Sequence, residues 1–265
     1  MSQDYSDLIR VEKADVYLGG NHIIKDFNWS VPAGQHSFIL GANGAGKTTL
    51  VKMLMGYAWP LFGAKIQLFG ETFGSVDLVQ LRKRIAWVSP FMQQWTRQDW
   101  TGLEMVISGL DGTLGLFRKF TVEEEEQALG VMRRLRCEKL RDRKLYVMSS
   151  GEQVKILIAR ALMCKPELMI LDEASVYLDI TSREFLLETI MRLACEDNGM
   201  TILFITQRIE DIVPVFRHGI ILANGQKVVE GTIDEVLTEE NLEKAFQLKI
   251  KLIKNSAGRY WPVIE

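Results

Sequence analysis

The chain has 265 residues, of which 47% are hydrophobic and 25% charged, so it can bury the core of one large domain or of a domain with an insertion. Its formal net charge of −2 gives no electrostatic reason to expect nucleic acid or an anionic membrane as the main partner. No apolar run reaches the roughly 18–20 residues of a membrane span. The N-terminus is polar and acidic rather than a signal sequence, and three widely spaced cysteines are typical of reduced thiols, so a cytoplasmic protein is expected.

Alternating and continuous apolar runs predict several strands in the first third of the chain. The predicted strands cover residues 8–18, 23–31, 36–40, 64–70 and 85–88, and the predicted helices cover residues 49–55 and 78–84. Glycine-rich turns separate the first three strands. His22, His36 and His218 lack metal-ligand spacing, so each is expected to be a surface or locally satisfied histidine.

Between a predicted buried strand and a predicted helix lies a glycine loop that fits the phosphate-binding P-loop pattern. The loop consists of Gly41, Ala42, Asn43, Gly44, Ala45, Gly46, Lys47, Thr48 and Thr49. Glycines let the backbone curl, so that its N–H groups and the helix N-terminus face one concavity and can bind phosphate. We expect Lys47 to reach the β- and γ-phosphates, the Thr48 hydroxyl to ligate Mg²⁺, and Thr49 to donate to the α-phosphate.

Strand signals vanish between residues 89 and 148, which we interpret as a helical insertion within an α/β domain. Thr121 and the acids after it suit a helix N-terminus. Helices are expected at 101–108, 151–163 and 182–196, and a further helix is expected to begin at 121. Buried strands are expected at 168–171 and 201–205, and a hairpin turn at Asn224-Gly225. Residues 219–265 are predicted to form this hairpin, two short helical pieces and an extended segment at 259–264.

Two adjacent acids extend the predicted phosphate site. Asp172 and Glu173 follow the buried strand 168–171, which places both carboxylates at a strand's carboxyl end, where ligands bind in open α/β sheets. Asp172 can hold Mg²⁺ through water, and Glu173 can orient or deprotonate the water that attacks a γ-phosphate. Ser149 and Ser150 precede Gly151, the first residue of the helix 151–163. An anion-binding role for this segment and an ordinary capping role for Ser149 or Ser150 are both open.

The chain resembles the ATPase subunits of ATP-binding cassette (ABC) proteins in the order of its motifs. These are the P-loop, the helical insertion, Ser149-Ser150-Gly151-Glu152-Gln153, Asp172-Glu173 and Tyr177-Leu178-Asp179. The resemblance extends from about residue 8 to about residue 231 and implies an α/β fold. This fold has a P-loop NTPase (RecA-like) core, an N-terminal antiparallel β subdomain and an inserted α-helical subdomain. A weaker likeness, in residues 106–109, is to the molybdenum-transport or photorepair subgroup.

The resemblance also implies partners and roles. Two cassettes would sandwich two ATP molecules with Mg²⁺, so that Ser149 and Gly151 of one touch the γ-phosphate held by the other. Asp179 matches the aspartate that lies across that dimer interface, and Tyr17 matches the aromatic residue that stacks on adenine. The second cassette could be a copy of this chain or a different one.

Two departures from the family pattern bear on the hydrolysis rate. Gln207 stands where the family usually has histidine, and a neutral amide can donate a hydrogen bond but cannot carry a proton. Pro90 stands where a glutamine that ligates Mg²⁺ is usual, so Gln93 or Gln94 is expected to serve instead. Glu173, Gln207 and Lys47 are therefore the candidate catalytic residues, and Thr48, Asp172 and Gln93 the candidate metal ligands.

The expected function is that of a Mg²⁺-dependent ATPase subunit that couples ATP-driven dimer closure to a separate membrane permease. Such a subunit would be cytoplasmic or peripheral on the cytoplasmic face of a membrane. One alternative is an ABC ATPase that acts on a non-membrane partner such as a ribosome or a DNA-repair complex. Another is an ATP-binding module that hydrolyses slowly or not at all. No direct contact with nucleic acid is expected, because lysine and arginine do not form a long basic stripe.

Overall fold

Helices and strands are interspersed along the chain, for which a computed structural model describes residues 5–90, 92, 99–196 and 199–265. The strands are β1 (Asp7–Leu18), β2 (Asn21–Pro32), β3 (Ser37–Leu40), β4 (Lys65–Leu68), β5 (Glu71–Thr72), β6 (Ile85–Val88), β7 (Leu168–Asp172), β8 (Thr201–Thr206), β9 (His218–Ala223), β10 (Gln226–Thr232), β11 (Ile250–Lys254) and β12 (Tyr260–Ile264). The helices are α1 (Lys47–Leu54), α2 (Leu78–Arg82), α3 (Gly102–Ile107), α4 (Val122–Arg134), α5 (Ser150–Met163), α6 (Ile180–Cys195), α7 (Ile233–Val236) and α8 (Glu239–Phe246). Across the described ranges, no helix is both long enough and apolar enough to cross a membrane.

The chain divides into two compact units, and the first consists of residues Met1–Arg82 and Thr201–Glu265. It holds an antiparallel sheet with the strand order β2-β1-β4-β5. It also holds β10, β9, β3 and β8 side by side, with β3 parallel to both of its neighbours. All four residues of β3 are buried, as expected for a strand that is covered on both faces. The first unit therefore contains both the predicted antiparallel part and the strand that leads into the P-loop.

The hairpin predicted at Asn224-Gly225 is confirmed. Asn224 has φ 50° and Gly225 has φ 79°, the two left-handed residues that a tight hairpin turn between right-twisted strands requires. A second hairpin, β11–β12, is present where the sequence predicted only an extended segment at 259–264. The guanidinium of Arg259 in this hairpin donates a hydrogen bond of 2.7 Å to the carbonyl oxygen of Glu210.

The second unit consists of Lys83–Met200. Its strands β6 and β7 are parallel, with Val88 paired to Leu171, and the described residues between them form α3, α4 and α5 with short 3-10 turns. The expected cap at Thr121 is confirmed, because its side chain accepts a hydrogen bond from the Glu124 backbone N–H. The limits of the insertion, residues 89–148, stay a prediction.

Candidate functional site

The glycine loop of the first unit has the geometry of an anion cradle. Gly44 and Gly46 have φ 80° and 103°, values that residues with a Cβ rarely adopt. Helix α1 starts at Lys47, and its N-cap residue is Gly46, which has no side chain that could accept a hydrogen bond from the first N–H groups of the helix. The first N–H groups of a helix lack intrahelical acceptors. The loop therefore presents backbone donors, together with the positive end of the helix dipole, at one place.

Gly41 is a glycine because two segments of the first unit approach closely there. A Cβ at Gly41 would lie 2.4 Å from the carbonyl oxygen of Leu222 in β9. The loop is also tied to the β9–β10 turn, since the N–H of Gly225 donates to the carbonyl oxygen of Ala45 over 3.0 Å. The strand neighbours thus fix the shape of the loop before any ligand binds.

Lys47 lies across the loop and is only 4% exposed. Its Nζ donates to the carbonyl oxygens of Gly41 and Ala42, over 2.8 and 2.9 Å. These bonds hold a positive charge at the concavity, where it would attract phosphate oxygens. Thr48 and Thr49, in the first turn of α1, are half-buried, whereas Asn43 is exposed at the tip of the loop.

Gln207 lies beside the start of the loop, in the same unit. It follows β8, in which Thr206 is paired with Leu40 of β3. The N–H of Gly41 donates to the carbonyl oxygen of Thr206 over 3.2 Å. Residue 207 and the first residue of the P-loop therefore follow neighbouring strands at the same edge of the sheet.

Tyr17 is 46% exposed at the end of β1 and stacks on His22 of β2, with 4.3 Å between ring centroids and an interplanar angle of 7°. The His22 Nε2 atom lies 2.6 Å from the Asp15 Oδ1 atom. Sequence reasoning missed Asp15 and His22 as companions of Tyr17. The signal was available, because a two-residue Gly19-Gly20 turn pairs Tyr17 with His22 across the hairpin.

The two acids of the second unit lie at the end of β7. Asp172 is 1% exposed, and Glu173 is half-buried with φ 54°. A left-handed conformation costs a residue with a side chain about 1–2 kcal/mol, and such strain clusters at functional sites. The backbone thus turns sharply between the two carboxylates.

The described residues contain no group of three or more His, Cys, Asp or Glu side chains arranged to hold a metal ion. Oxygen donors that suit Mg²⁺ are present as the Thr48 hydroxyl and the Asp172 carboxylate, and Mg²⁺ usually takes one or two protein oxygens together with substrate phosphates and water. Each of these two groups, one in either unit, is by itself a suitable ligand for a magnesium ion that arrives with a nucleotide. The third predicted ligand, Gln93, lies outside the described residues.

The capping role considered for Ser149 is present at the start of α5. Its hydroxyl accepts from the Glu152 backbone N–H over 3.3 Å, and the Glu152 carboxylate accepts from the Ser149 N–H over 2.9 Å. Arg143 donates to Glu152 over 2.7 Å. Burial raises the pKa of the Glu152 carboxyl, but the Ser149 N–H and Arg143 outweigh it and the pKa is lowered. Ser149 itself remains exposed.

Gly151 and Asp179 meet at one residue, Ser182 of α6. A Cβ on Gly151 would lie 2.4 Å from the Ser182 Oγ atom, so only glycine fits there. Asp179 caps α6 through the Ser182 N–H at 2.9 Å and accepts from the Ser182 hydroxyl at 3.0 Å. Both bonds lower the pKa of the Asp179 carboxyl, and the bond from the Ser182 backbone N–H has the larger effect. The cap also explains why α6 begins two residues before the predicted start.

Comparison with known proteins identifies the family. Residues 24–176 match the sequence profile of the family described as ABC transporter. An uncharacterised ABC transporter ATP-binding protein of Bacillus subtilis, YlmA, is 36% identical over 94% of each chain. A Chlamydia trachomatis protein named "Probable metal transport system ATP-binding protein" is 29% identical over 98% of each chain.

A solved structure supports the fold independently. The dimeric structure of MJ0796, a bacterial ABC transporter cassette, superposes with a TM-score of 0.73 over 85% of this chain and 98% of that one, at 22% identity. At that identity the likeness shows the fold alone, which is the predicted mixed α/β P-loop NTPase fold. With the family profile and YlmA, it leads to one conclusion: the chain belongs to the ABC transporter family, as an ATP-binding ATPase subunit.

Proposed function

We propose that the chain drives a transport system by Mg²⁺-dependent ATP hydrolysis, working as one half of a cassette dimer on a separate permease. The observation that carries the proposal is the preformed P-loop, in which Lys47 is already held at the concavity by two backbone carbonyls. This geometry suits the β- and γ-phosphates of a nucleotide. Thr49 would donate to the α-phosphate, and the adenine would stack on Tyr17.

For hydrolysis, the Mg²⁺ ion would neutralise phosphate charge when bound, held by Thr48, Asp172 and a third ligand assigned to Gln93. Glu173 would orient and deprotonate the attacking water. Gln207 would donate a neutral hydrogen bond to the γ-phosphate. Because an amide cannot gain charge as the transition state forms, we expect slow basal hydrolysis with intact ATP binding.

The dimer would complete each site. Ser149 and Gly151 would contact the γ-phosphate held by the partner cassette, and Asp179 would lie at the interface between the two. The exposure of Ser149 supports this role, since a capping serine that faces outward can also meet a ligand. The dimeric state of the MJ0796 cassette supports it further. The partner is a second copy of this chain or a related cassette.

A relative named for metal transport makes a metal-ion permease the first membrane partner to test. The chain would then be located in the cytoplasm, or at the cytoplasmic face of the membrane when docked. Its net charge of −2 offers no electrostatic attraction to nucleic acid, in keeping with this role.

The test combines hydrolysis with assembly. Purified protein should hydrolyse Mg-ATP, and Glu173→Gln should abolish most turnover while it keeps ATP binding, because the amide has the size of the carboxylate but is not a base. Sedimentation of the variant with saturating ATP should then show a dimer. Glu126→Gln, the same change on the exposed surface of α4, is the matched control and should behave as the parent. A Glu173→Gln protein that stays monomeric with ATP, or turns over at the parent's rate, contradicts the proposal.

A further inference from the structure

Three side chains form a small ordered cluster at the β1–β2 turn. The turn residues Gly19 and Gly20 have φ 56° and 80°, which places Tyr17 directly opposite His22. The two rings are almost parallel, at 7° with 4.3 Å between centroids. One face of the Tyr17 ring is thus covered by His22, while the residue as a whole remains 46% exposed. The uncovered part of Tyr17 is available to another flat ring.

Asp15 holds the second ring in place. An ionised carboxylate can only accept, so His22 Nε2 donates to Asp15 Oδ1 over 2.6 Å. The same oxygen accepts from the backbone N–H of Asp26 over 3.1 Å. The Asp26 N–H, and then His22, keep the pKa of the Asp15 carboxyl below its ordinary value, so it is ionised throughout the neutral range. The imidazole is therefore fixed on one side by a hydrogen bond and on one face by Tyr17.

The cluster lies next to the phosphate loop. Ile23, the residue after His22, places its carbonyl oxygen 3.4 Å from the position of a Cβ at Gly46. Ile24 places its Cδ1 atom 2.8 Å from the same position. The strand that carries His22 is thus in contact with the loop that would hold the phosphates. The β1–β2 turn is therefore close enough to the loop to reach the base of a nucleotide whose phosphates are bound there.

A fixed ring binds better than a loose one. An exposed tyrosine at a turn loses rotamer freedom when a base stacks on it, and ordering such a side chain weakens binding. His22 has already restrained Tyr17 in the absence of nucleotide. Aromatic stacking is tolerant of base identity, so the benefit would apply to any purine.

We propose that His22, held by Asp15, is a positioning residue that fixes Tyr17 as a platform for the nucleobase. The inference rests on the proposed function, because Tyr17 is placed on the base there. It goes further in assigning a role to two residues outside the phosphate loop. His22 acts through Tyr17 and does not touch the phosphates, so its removal affects the base-dependent share of affinity.

The experiment compares a nucleotide with a phosphate probe that has no base. Calorimetric titrations would use Mg-ATP and Mg-tripolyphosphate on the parent and on Tyr17→Ala, His22→Ala, His22→Phe and Asp15→Ala. His22→Ala should raise the Kd for Mg-ATP about threefold to tenfold and leave that for tripolyphosphate unchanged. His22→Phe keeps a stacked ring and should retain most of the affinity. Asp15→Ala should fall between them. In steady-state assays His22→Ala should raise KM for ATP and leave kcat unchanged.

The outcomes separate the inference from the proposed function. If Tyr17→Ala loses affinity for Mg-ATP while His22→Ala binds as the parent does, the inference is wrong and the proposed function stands. If His22→Ala weakens tripolyphosphate as much as Mg-ATP, the histidine acts on local folding, and the positioning role is again wrong. If Tyr17→Ala has no effect, the assignment of Tyr17 and the inference are overturned together. A parent protein that binds neither probe would instead contradict the proposed function.

Discussion

The most informative single change is Gln207→His, because the backbone at this position is fixed from both sides. The carbonyl oxygen of Thr206 accepts from Gly41 at the start of the P-loop over 3.2 Å, and the Thr206 hydroxyl accepts from the Arg208 N–H over 2.9 Å. A histidine placed here would start from the same sheet edge as the amide. Its imidazole can gain a proton as negative charge moves in the transition state, which the amide cannot.

A hydrogen bond to a charged group contributes about 1.5–3 kcal/mol, roughly twice a neutral one. Gln207 already supplies a neutral bond, so only the difference of about half this energy is gained. Residue 207 is also half-buried, so water screens part of it, and a net gain of about 0.7–1.4 kcal/mol corresponds to a turnover about 3- to 10-fold faster. The gain should grow as the pH falls from about 8 towards 6, because imidazole protonates near pH 6.5. The assay is steady-state hydrolysis at saturating Mg-ATP, with Gln127→His on the exposed surface of α4 as the matched control. A Gln207→His enzyme no faster than the parent refutes the reasoning.

Two substitutions test the loop, a third in helix α4 is their stability control, and an alkylation experiment tests the thiols. Lys47→Ala should weaken Mg-ATP binding by about 1.5–3 kcal/mol in a calorimetric titration, since it removes a charge-assisted contact to phosphate; unchanged affinity would rule out the P-loop role. Gly41→Ala should lower the thermal midpoint, because its Cβ would lie 2.4 Å from a backbone carbonyl oxygen of β9. Gly130→Ala lies in helix α4, where a Cβ meets nothing within 4 Å. It should raise the thermal midpoint, because it adds about 0.5–1 kcal/mol to the free energy of unfolding. Burial raises the pKa of the Cys137 thiol to about 11, so at pH 8 it is about one-thousandth thiolate and should resist alkylation that modifies exposed Cys195, as mass spectrometry can show.

The sequence predicts best where local chemistry leaves one option. The strand, glycine loop and helix around Lys47 were predicted because the P-loop has a fixed spacing. The Asn224-Gly225 turn was predicted because few residue pairs take two left-handed conformations in succession. In both cases the short-range pattern and the tertiary structure agree.

Two of the misses have long-range causes. The pairing of β11 with β12 depends on contacts made across the chain, such as Arg259 with the Glu210 carbonyl, and no local pattern reports them. The role of His22, by contrast, was missed for a local reason: the second strand was predicted to start at residue 23, two residues late, which leaves His22 outside the hairpin that pairs it with Tyr17. The left-handed turn at Glu173 follows from the surroundings of β7 and not from the preference of glutamate.

The close contact between Gly151 and Ser182 bears on how mutants of this region are interpreted. A methyl group at residue 151 would overlap not only the Ser182 hydroxyl, at 2.4 Å, but also its Cβ, at 2.7 Å, so a rotamer change alone cannot relieve it. Loss of activity in Gly151→Ala would therefore not demonstrate a phosphate contact. The overlap would also push on the start of α6 and on its cap, Asp179. A compensating deletion separates the two causes: Ser182→Gly removes both overlapping atoms, so it should act as a suppressor of Gly151→Ala if crowding is the defect. If the methyl group instead blocks ATP, the double variant should stay inactive.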